Sequence, residues 1–414
     1  MPVHLQYDIL FQNKSIQFDE GVESMSVKEH LKVNYTEIVA LRRHLHMYPE
    51  LSFQEVNTPK LIAEKLRSFG IEVKENVGGN GVVGLLKGAF EGPTIALRAD
   101  FDALPIQDEK NVPYKSKIDG VSHACGHDIH TAALIGLAES LAAMRDSLHG
   151  NIVFIHQFAE EVIPGGALAM VKDGCLDGVD YVYGAHVSSI SDLGTVLFCE
   201  GYAMAAADFF ELTIQGKGGH GASPHETIDP IVAAAQFVFG IQPIVSRNTD
   251  PLHSAVITVG KIESGTVGNV IPDKAYLTGT VRTFNSDVRN MIEQKLNNLC
   301  KAIEVQYDAK LDFTYTRGYD AVYNHLAETA ALREAVANNL PTLTVIDTPP
   351  RMGAEDFTYY LQEKPGTFFF VGGGNAEIDA TYPHHHPKFD VDEQSMLHIA
   401  DVFIEALKLH GIVR

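Results

Sequence analysis

The 414-residue chain has no tryptophan and only four cysteines. Thiols this sparse cannot build a disulfide framework, which points to a reducing compartment. Positive charge is also short, with 32 Lys and Arg against 53 Asp and Glu and a formal charge of −21. Nucleic acid and anionic membrane both demand a basic surface, so neither is expected as a partner. No segment approaches the roughly 20 apolar residues that a membrane span needs. Met1 to Gly21 has neither a basic stretch nor a useful apolar one, so no signal peptide is expected and a cytoplasmic home follows by elimination. What the chain does have is core-forming capacity. At 45% hydrophobic and 21% charged it reads as globular, and it is too long for one ordinary core, so two domains are expected.

Periodicity and punctuation organise the chain as an α/β protein. Asn34 to Tyr48 is helical in pattern, and Asn57-Thr58-Pro59 opens a second helix that Gly70 stops. Short apolar runs at 71–77, 81–86 and 94–98 are predicted strands, the last leading into Asp100 and Asp102. A helix is predicted over Thr131 to Met144. Strands are predicted at 151–158, delivering Glu160 and Glu161, and at 181–187, delivering His186. Repeated strand, acid or imidazole, then helix is the grammar of a sheet whose site lies beyond the carboxyl ends of its strands. Between Asp208 and Tyr319 the order becomes strand, helix, strand, strand, helix, strand, a βαββαβ module of ferredoxin-like type. Alternation resumes at 325–340, 367–371 and 392–410, so residues 208–319 read as an insertion between 1–207 and 320–414. No internal repeat or low-complexity tract is present.

The chemistry concentrates around His123-Ala-Cys125-Gly-His127-Asp128, where a thiol and an imidazole stand two residues apart in a glycine-containing turn ahead of a helix. A helix amino end and a bound cation would each favour thiolate. A buried inert cysteine beside a surface histidine would give the same letters, so the remaining donors decide. Glu160 and Glu161 point to opposite sides of an extended chain, which lets one carboxylate bind metal while the other serves as general base. His186, after Tyr183-Gly184-Ala185, is alone better read as a satisfied core histidine. His384-His385-His386 lies between Pro383 and Pro387, and alternation along extended chain makes one of the three the expected ligand. Asp100 and Asp102 share a face suited to orienting imidazoles, with strand-end capping as the competing reading. Gly216-Lys-Gly-Gly219-His220-Gly-Ala222 lacks the lysine followed by serine or threonine of a phosphate loop. It is either a plain surface loop or a place where backbone approaches a substrate with His220 as donor to an oxyanion.

Taken together, RRHLHMYPELSFQE from Arg42, LRADFDALP from Leu97, HACGHDIHTA from His123, FAEE from Phe158, GAHV from Gly184, GKGGHGASPH from Gly216, NVIP from Asn269, GTVRTF from Gly279, MGAEDF from Met352 and HHHPKFD from His384 resemble the M20 metallopeptidases. They resemble in particular the amidohydrolase branch with its hippurate, indole-acetyl-amino-acid and other N-acyl-amino-acid hydrolases. The resemblance runs from about Leu41 to the C-terminus and leaves Met1 to about Ser26 as an N-terminal extension. It implies a catalytic domain with an inserted lid and a site for two divalent ions, zinc or manganese, held by Cys125, His127, Glu161, His186 and His385. The family has an aliphatic residue where His384 stands, so His384 or His386 competes with His385. The resemblance further implies Glu160 as general base, His220 reaching the partner's site in a homodimer, and Asn269, Arg282 and Gly353 as substrate contacts. The implied reaction is hydrolysis of the amide bond of an N-acyl amino acid or short peptide. The rivals are a dipeptidase or aminopeptidase of the same family and a catalytically silent homologue.

Overall fold

A computed structural model describes residues 25–414; most of the N-terminal extension and the stretch weighed as a signal peptide lie outside the described residues. The chain forms a mixed α/β structure around two separate apolar clusters. One draws on residues from Val27 to Met204 and from Val322 to Val413. The other draws only on residues from Phe210 to Ala309, with Tyr315 and its neighbours packed against it.

The larger unit is built on an eight-stranded sheet in the order Glu72–Val77, Gly81–Lys87, His149–Gln157, Phe90–Asp100, Tyr181–Asp192, Gly366–Gly374, Thr195–Phe198, Thr344–Asp347. Its four central strands, from His149–Gln157 to Gly366–Gly374, run parallel. Parallel strands covered on both faces need continuous apolar sequence, which Ile152-Val153-Phe154-Ile155 and Phe368-Phe369-Phe370-Val371 supply. The helix His127–Ala142 is buried on nearly every side, packed against the helices Tyr35–Met47 and Ser395–Leu409. Gly136 admits that contact, because a Cβ there would stand 2.4 Å from Ile38 Cδ1.

The smaller unit is a four-stranded antiparallel sheet in the order Ala255–Ser264, Lys274–Thr283, Ala206–Gln215, Lys310–Arg317, packed against the helices Pro230–Pro243 and Ser286–Tyr307. Numbered by chain order that is strand two, three, one, four, or four, one, three, two from the other edge, the ferredoxin-like arrangement the sequence pattern implies. At its root Asp208 accepts from Arg289 Nε at 2.9 Å and Tyr315 Oη at 2.7 Å, while Arg289 also meets Asp320. Among the described residues no helix is long and apolar enough to cross a membrane.

Two element boundaries differ from the sequence reading in ways that matter for the site. The helix expected from Thr131 begins at His127, because Gly126 takes φ 101° and turns the chain directly into it. The strand expected to end at Val187 continues to Asp192, so His186 stands within a strand rather than at its end. Polar Ser188, Ser189 and Ser191 hid that continuation from a hydrophobicity criterion.

Candidate metal centre

Three loops, the start of one helix and one strand bring the sequence-predicted donors together. The ligand atoms of Cys125, His127 and His186 lie within 4.8 Å of one another, as do those of Cys125, Glu161 and His385, and those of His127, Glu160 and Glu161. Gly126 makes the first of these groupings possible: besides its positive φ, a Cβ there would stand 2.4 Å from Val187 Cγ1.

Each imidazole is held in a definite tautomer by what its second nitrogen touches. His127 Nδ1 donates to Asp102 Oδ1 at 3.0 Å, which leaves Nε2 as the nitrogen that faces the cluster. His186 Nδ1 donates to the Val187 carbonyl at 2.7 Å, which leaves its Nε2 facing Cys125 Sγ at 3.4 Å. His130 closes a similar group with Asp100 and His127 but is saturated, since Nδ1 bonds Asp100 at 2.6 Å and Nε2 accepts from Val187 N at 2.9 Å. Of the two aspartates expected to orient ligands, Asp102 therefore serves His127, while Asp100 bonds His130 and stands 3.6 Å from His127 Nε2.

The histidine triplet divides by contact. His385 Nε2 lies 3.3 Å from Glu161 Oε1. His384 Nε2 accepts from Ser189 N at 3.4 Å, so its neutral ring directs Nδ1–H at Cys125 Sγ, 3.7 Å away. His386 stacks on Tyr382, with ring centroids 4.6 Å apart, and takes no part.

The electrostatics favour a cation. His127 Nε2 and Glu161 Oε1, 3.9 Å apart, are both buried without a well-aligned hydrogen bond, the oxygen having only the ion-pair contact from His385. Leaving two such atoms unsatisfied is costly unless something bridges them. Burial alone would lower the His127 pKa, yet Asp100 and Asp102 push it up to about 10. Burial, Glu355 and Glu161 hold the Glu160 carboxyl well above the usual range. Burial, Glu161 and Glu160 push the Cys125 thiol up, contrary to the thiolate expected from the helix end alone. Closely set carboxylates, imidazole lone pairs and a sulfur with too little positive charge to balance them are a donor set that divalent cations fit.

Behind the cluster lies a buried acid group that sequence reasoning did not single out. Arg98 donates to Asp100 at 2.6 Å, Gln157 at 2.9 Å, Glu355 at 3.0 Å and Asp356 at 3.2 Å. Glu160, Glu355 and Asp356 place carboxylate oxygens within 4.8 Å of one another. Burial raises Glu355 to about 8 and Asp356 to about 6 despite Arg98. The letters stood in LRADFD and MGAEDF, but nothing local in them signals their convergence.

The remaining candidates lie elsewhere. His220 and Asn269 meet on a two-residue ribbon of the smaller unit, with His220 paired to Val270 and Gly221 N donating to Asn269 O at 2.9 Å. Ala222 N donates to His220 Nδ1 at 3.0 Å, so Nε2 is the donor nitrogen of an exposed ring. No polar contact joins His220 to the cluster among the described residues. Arg282 is half-buried, bonded to Val281 O at 3.0 Å and set over the Phe209 ring. Gly353 is exposed on the loop before Glu355, its carbonyl accepting from Ala205 N at 3.0 Å. A cleft of about 420 Å³ lies away from the cluster, between the two units, lined by Tyr202, Asn285, Arg289, Asp320 and Tyr323 among others.

The family model for peptidase family M20/M25/M40 matches residues 96–409. The chain is 43% identical to N-acetyl-L-cysteine deacetylase of Bacillus subtilis over 372 residues, 90% of this chain and 88% of that protein. It is 42% identical to thermostable carboxypeptidase 1 of Saccharolobus solfataricus over 376 residues, 89% and 95% of the two chains. Among solved structures it is similar to a Bacillus subtilis protein described as a dinuclear metal binding peptidase from the M20 family, with TM-score 0.78 and 37% identity over 92% of this chain and 100% of that one. The match over most of its length and the donor cluster at its centre lead to one conclusion: the chain belongs to peptidase family M20/M25/M40 and is a hydrolase of that family.

Proposed function

We propose that this enzyme hydrolyses the amide bond of N-acyl amino acids, using two divalent cations and Glu160 as general base. The observation that carries the reading is the pair of buried donors His127 Nε2 and Glu161 Oε1, neither in a well-aligned hydrogen bond, with Cys125, His186 and His385 around them and Glu160 alongside. Zinc is favoured by the sulfur and imidazoles, manganese by the carboxylates. Such cations, when bound, polarise a carbonyl and lower the pKa of a water. The chain's own part is to hold those donors and to move a proton. Glu160, whose carboxyl burial and Glu355 already make more basic, takes a proton from the attacking water at its carboxylate and returns it to the leaving nitrogen.

The inserted unit acts as a lid over 208–319, hinged near Asp208 and Tyr319 and pairing two chains as a homodimer. His220, with Nε2–H free to donate, supports the oxyanion in the partner's site; Asn269 and Arg282 contact the substrate carboxylate and Gly353 lines the pocket. Four unpaired cysteines suit the cytoplasm. The likeness to a carboxypeptidase supports a second reading, in which the substrate is a short peptide.

The test is elemental analysis of the purified protein, then turnover of N-acyl amino acids and dipeptides by the metal-replete enzyme. About two metal ions per chain and preferential acyl-amino-acid hydrolysis are expected. Hydrolysis that survives exhaustive chelation, or a Glu160→Gln variant with unchanged turnover, sinks the reading.

A further inference from the structure

In a chain with 53 acidic and 32 basic residues, a half-buried arginine without an acid partner stands out. Arg42, Arg98, Arg289 and Arg333 each meet a carboxylate. Arg351 meets none: among the described residues its side chain has no hydrogen-bond or ion-pair partner, and Cys199 is the group that bears on its charge. Its backbone is fixed, with N donating to Ala203 O at 2.9 Å and O accepting from Ala205 N at 3.0 Å. Its guanidinium lies 3.9 Å from the centroid of the Phe370 ring. Phe370 is the register partner of His186 on the neighbouring parallel strand, and their rings are 6.0 Å apart. Four residues further along the same loop, Glu355 enters the acid cluster with Glu160.

The cation therefore stands one aromatic ring from a candidate metal ligand, on a loop that borders the centre. Stacking covers one face of the guanidinium and leaves its edge N–H groups for a planar, two-oxygen acceptor. A half-desolvated charge with no counter-ion is a cost that an arriving anion would offset. We propose that Arg351 is a specificity residue that receives a second carboxylate of the substrate, beyond the α-carboxylate. The preferred substrates are then N-acyl amino acids with an additional acid on either the side chain or the acyl chain. This rests on the N-acyl amino acid reading above.

The test compares kcat/KM in wild type, Arg351→Gln and Arg351→Lys for two matched pairs. N-acetyl-L-glutamate against N-acetyl-L-glutamine places the acid on the side chain; N-succinyl-L-alanine against N-butanoyl-L-alanine places it on the acyl chain. In wild type the acid-bearing member of one pair should lead by about tenfold or more, and that pair identifies the source. The lead should vanish in Arg351→Gln and be intermediate in Arg351→Lys, with neutral substrates turned over at rates within about threefold throughout. No acid preference in wild type, or the same preference in Arg351→Gln, overturns the proposal. With an insoluble Gln variant the Lys variant decides: a reduced lead supports the assignment and an undiminished one overturns it. Should wild type hydrolyse none of the four, the acyl-amino-acid reading falls, and calorimetric titration with glutarate decides Arg351 separately. Weaker glutarate binding to Arg351→Gln than to wild type supports it, and equal binding overturns it.

Discussion

Tyr319 donates its hydroxyl hydrogen bond to the backbone carbonyl of Glu160 at 2.6 Å. The first residue stands where the chain returns from the inserted unit, and the second is the proposed general base. A movement at that junction therefore reaches the base through one buried bond. Losing a single partner of a buried carbonyl costs about 1–3 kcal/mol locally. Tyr319→Phe keeps the ring and removes the donor, so kcat should fall by about tenfold while KM changes little. Steady-state kinetics beside a melting curve check this; a change in stability with kcat intact would disconnect the bond from catalysis.

Asp102 carries three bonds at once. One oxygen receives His127 Nδ1, and the other receives Ser52 Oγ at 2.7 Å and Glu161 N at 3.0 Å. Asp102→Asn preserves shape but turns an amide donor toward one side or the other, where only donors wait. Either the tautomer of His127 or the position of Glu161 must give way. Metal affinity should drop by about 10–100-fold, measured by competition with a chromogenic chelator. Unchanged affinity would mean that His127 keeps its tautomer without Asp102.

These two aspartates show how far the sequence could be read. Asp100 and Asp102 were legible as imidazole partners because a strand leading into two acids is a local pattern. That Asp100 serves His130 was not legible, because it depends on Arg98 holding its other oxygen and on Val187 N filling His130 Nε2. Arg98 and Glu355 stand 257 residues apart, and no spacing rule connects them. The inserted module was readable for the opposite reason: its strands and helices follow one another in chain order, each with its own period. His220 and Asn269 share a ribbon, but nothing in their local spacing says what their side chains face.

The histidine triplet yields a stoichiometric prediction. His385 faces Glu161, whereas His384 has one nitrogen engaged by Ser189 and the other aimed at Cys125 Sγ. His385→Ala should lower bound metal from about two ions per chain toward about one, as expected for a lost ligand of a two-metal site. His384→Ala should leave the count unchanged and only weaken retention, because a hydrogen bond to sulfur tunes a ligand without replacing it. Elemental analysis after dialysis distinguishes them, and the reverse pattern would move the ligand to His384.

Glu55 supplies a pH prediction away from the cluster. Burial pushes its carboxyl up to about 7 from an ordinary 4.5, although Asn80 Nδ2 and Ala159 N both donate to it. The folded chain thus keeps a proton at Glu55 that the unfolded chain has released. Below 4.5 both states hold it and its stabilising contribution is fully present. As pH rises the unfolded state binds fewer protons than the folded one, so unfolding free energy falls with pH, and the contribution is lost through about 7. Glu55→Gln cannot titrate yet can still accept from Ala159 N, the residue just ahead of Glu160. Its urea midpoint should therefore decline less steeply than that of wild type between pH 4.5 and 7. Parallel slopes for the two proteins would mean that Glu55 is already ionised in the folded chain.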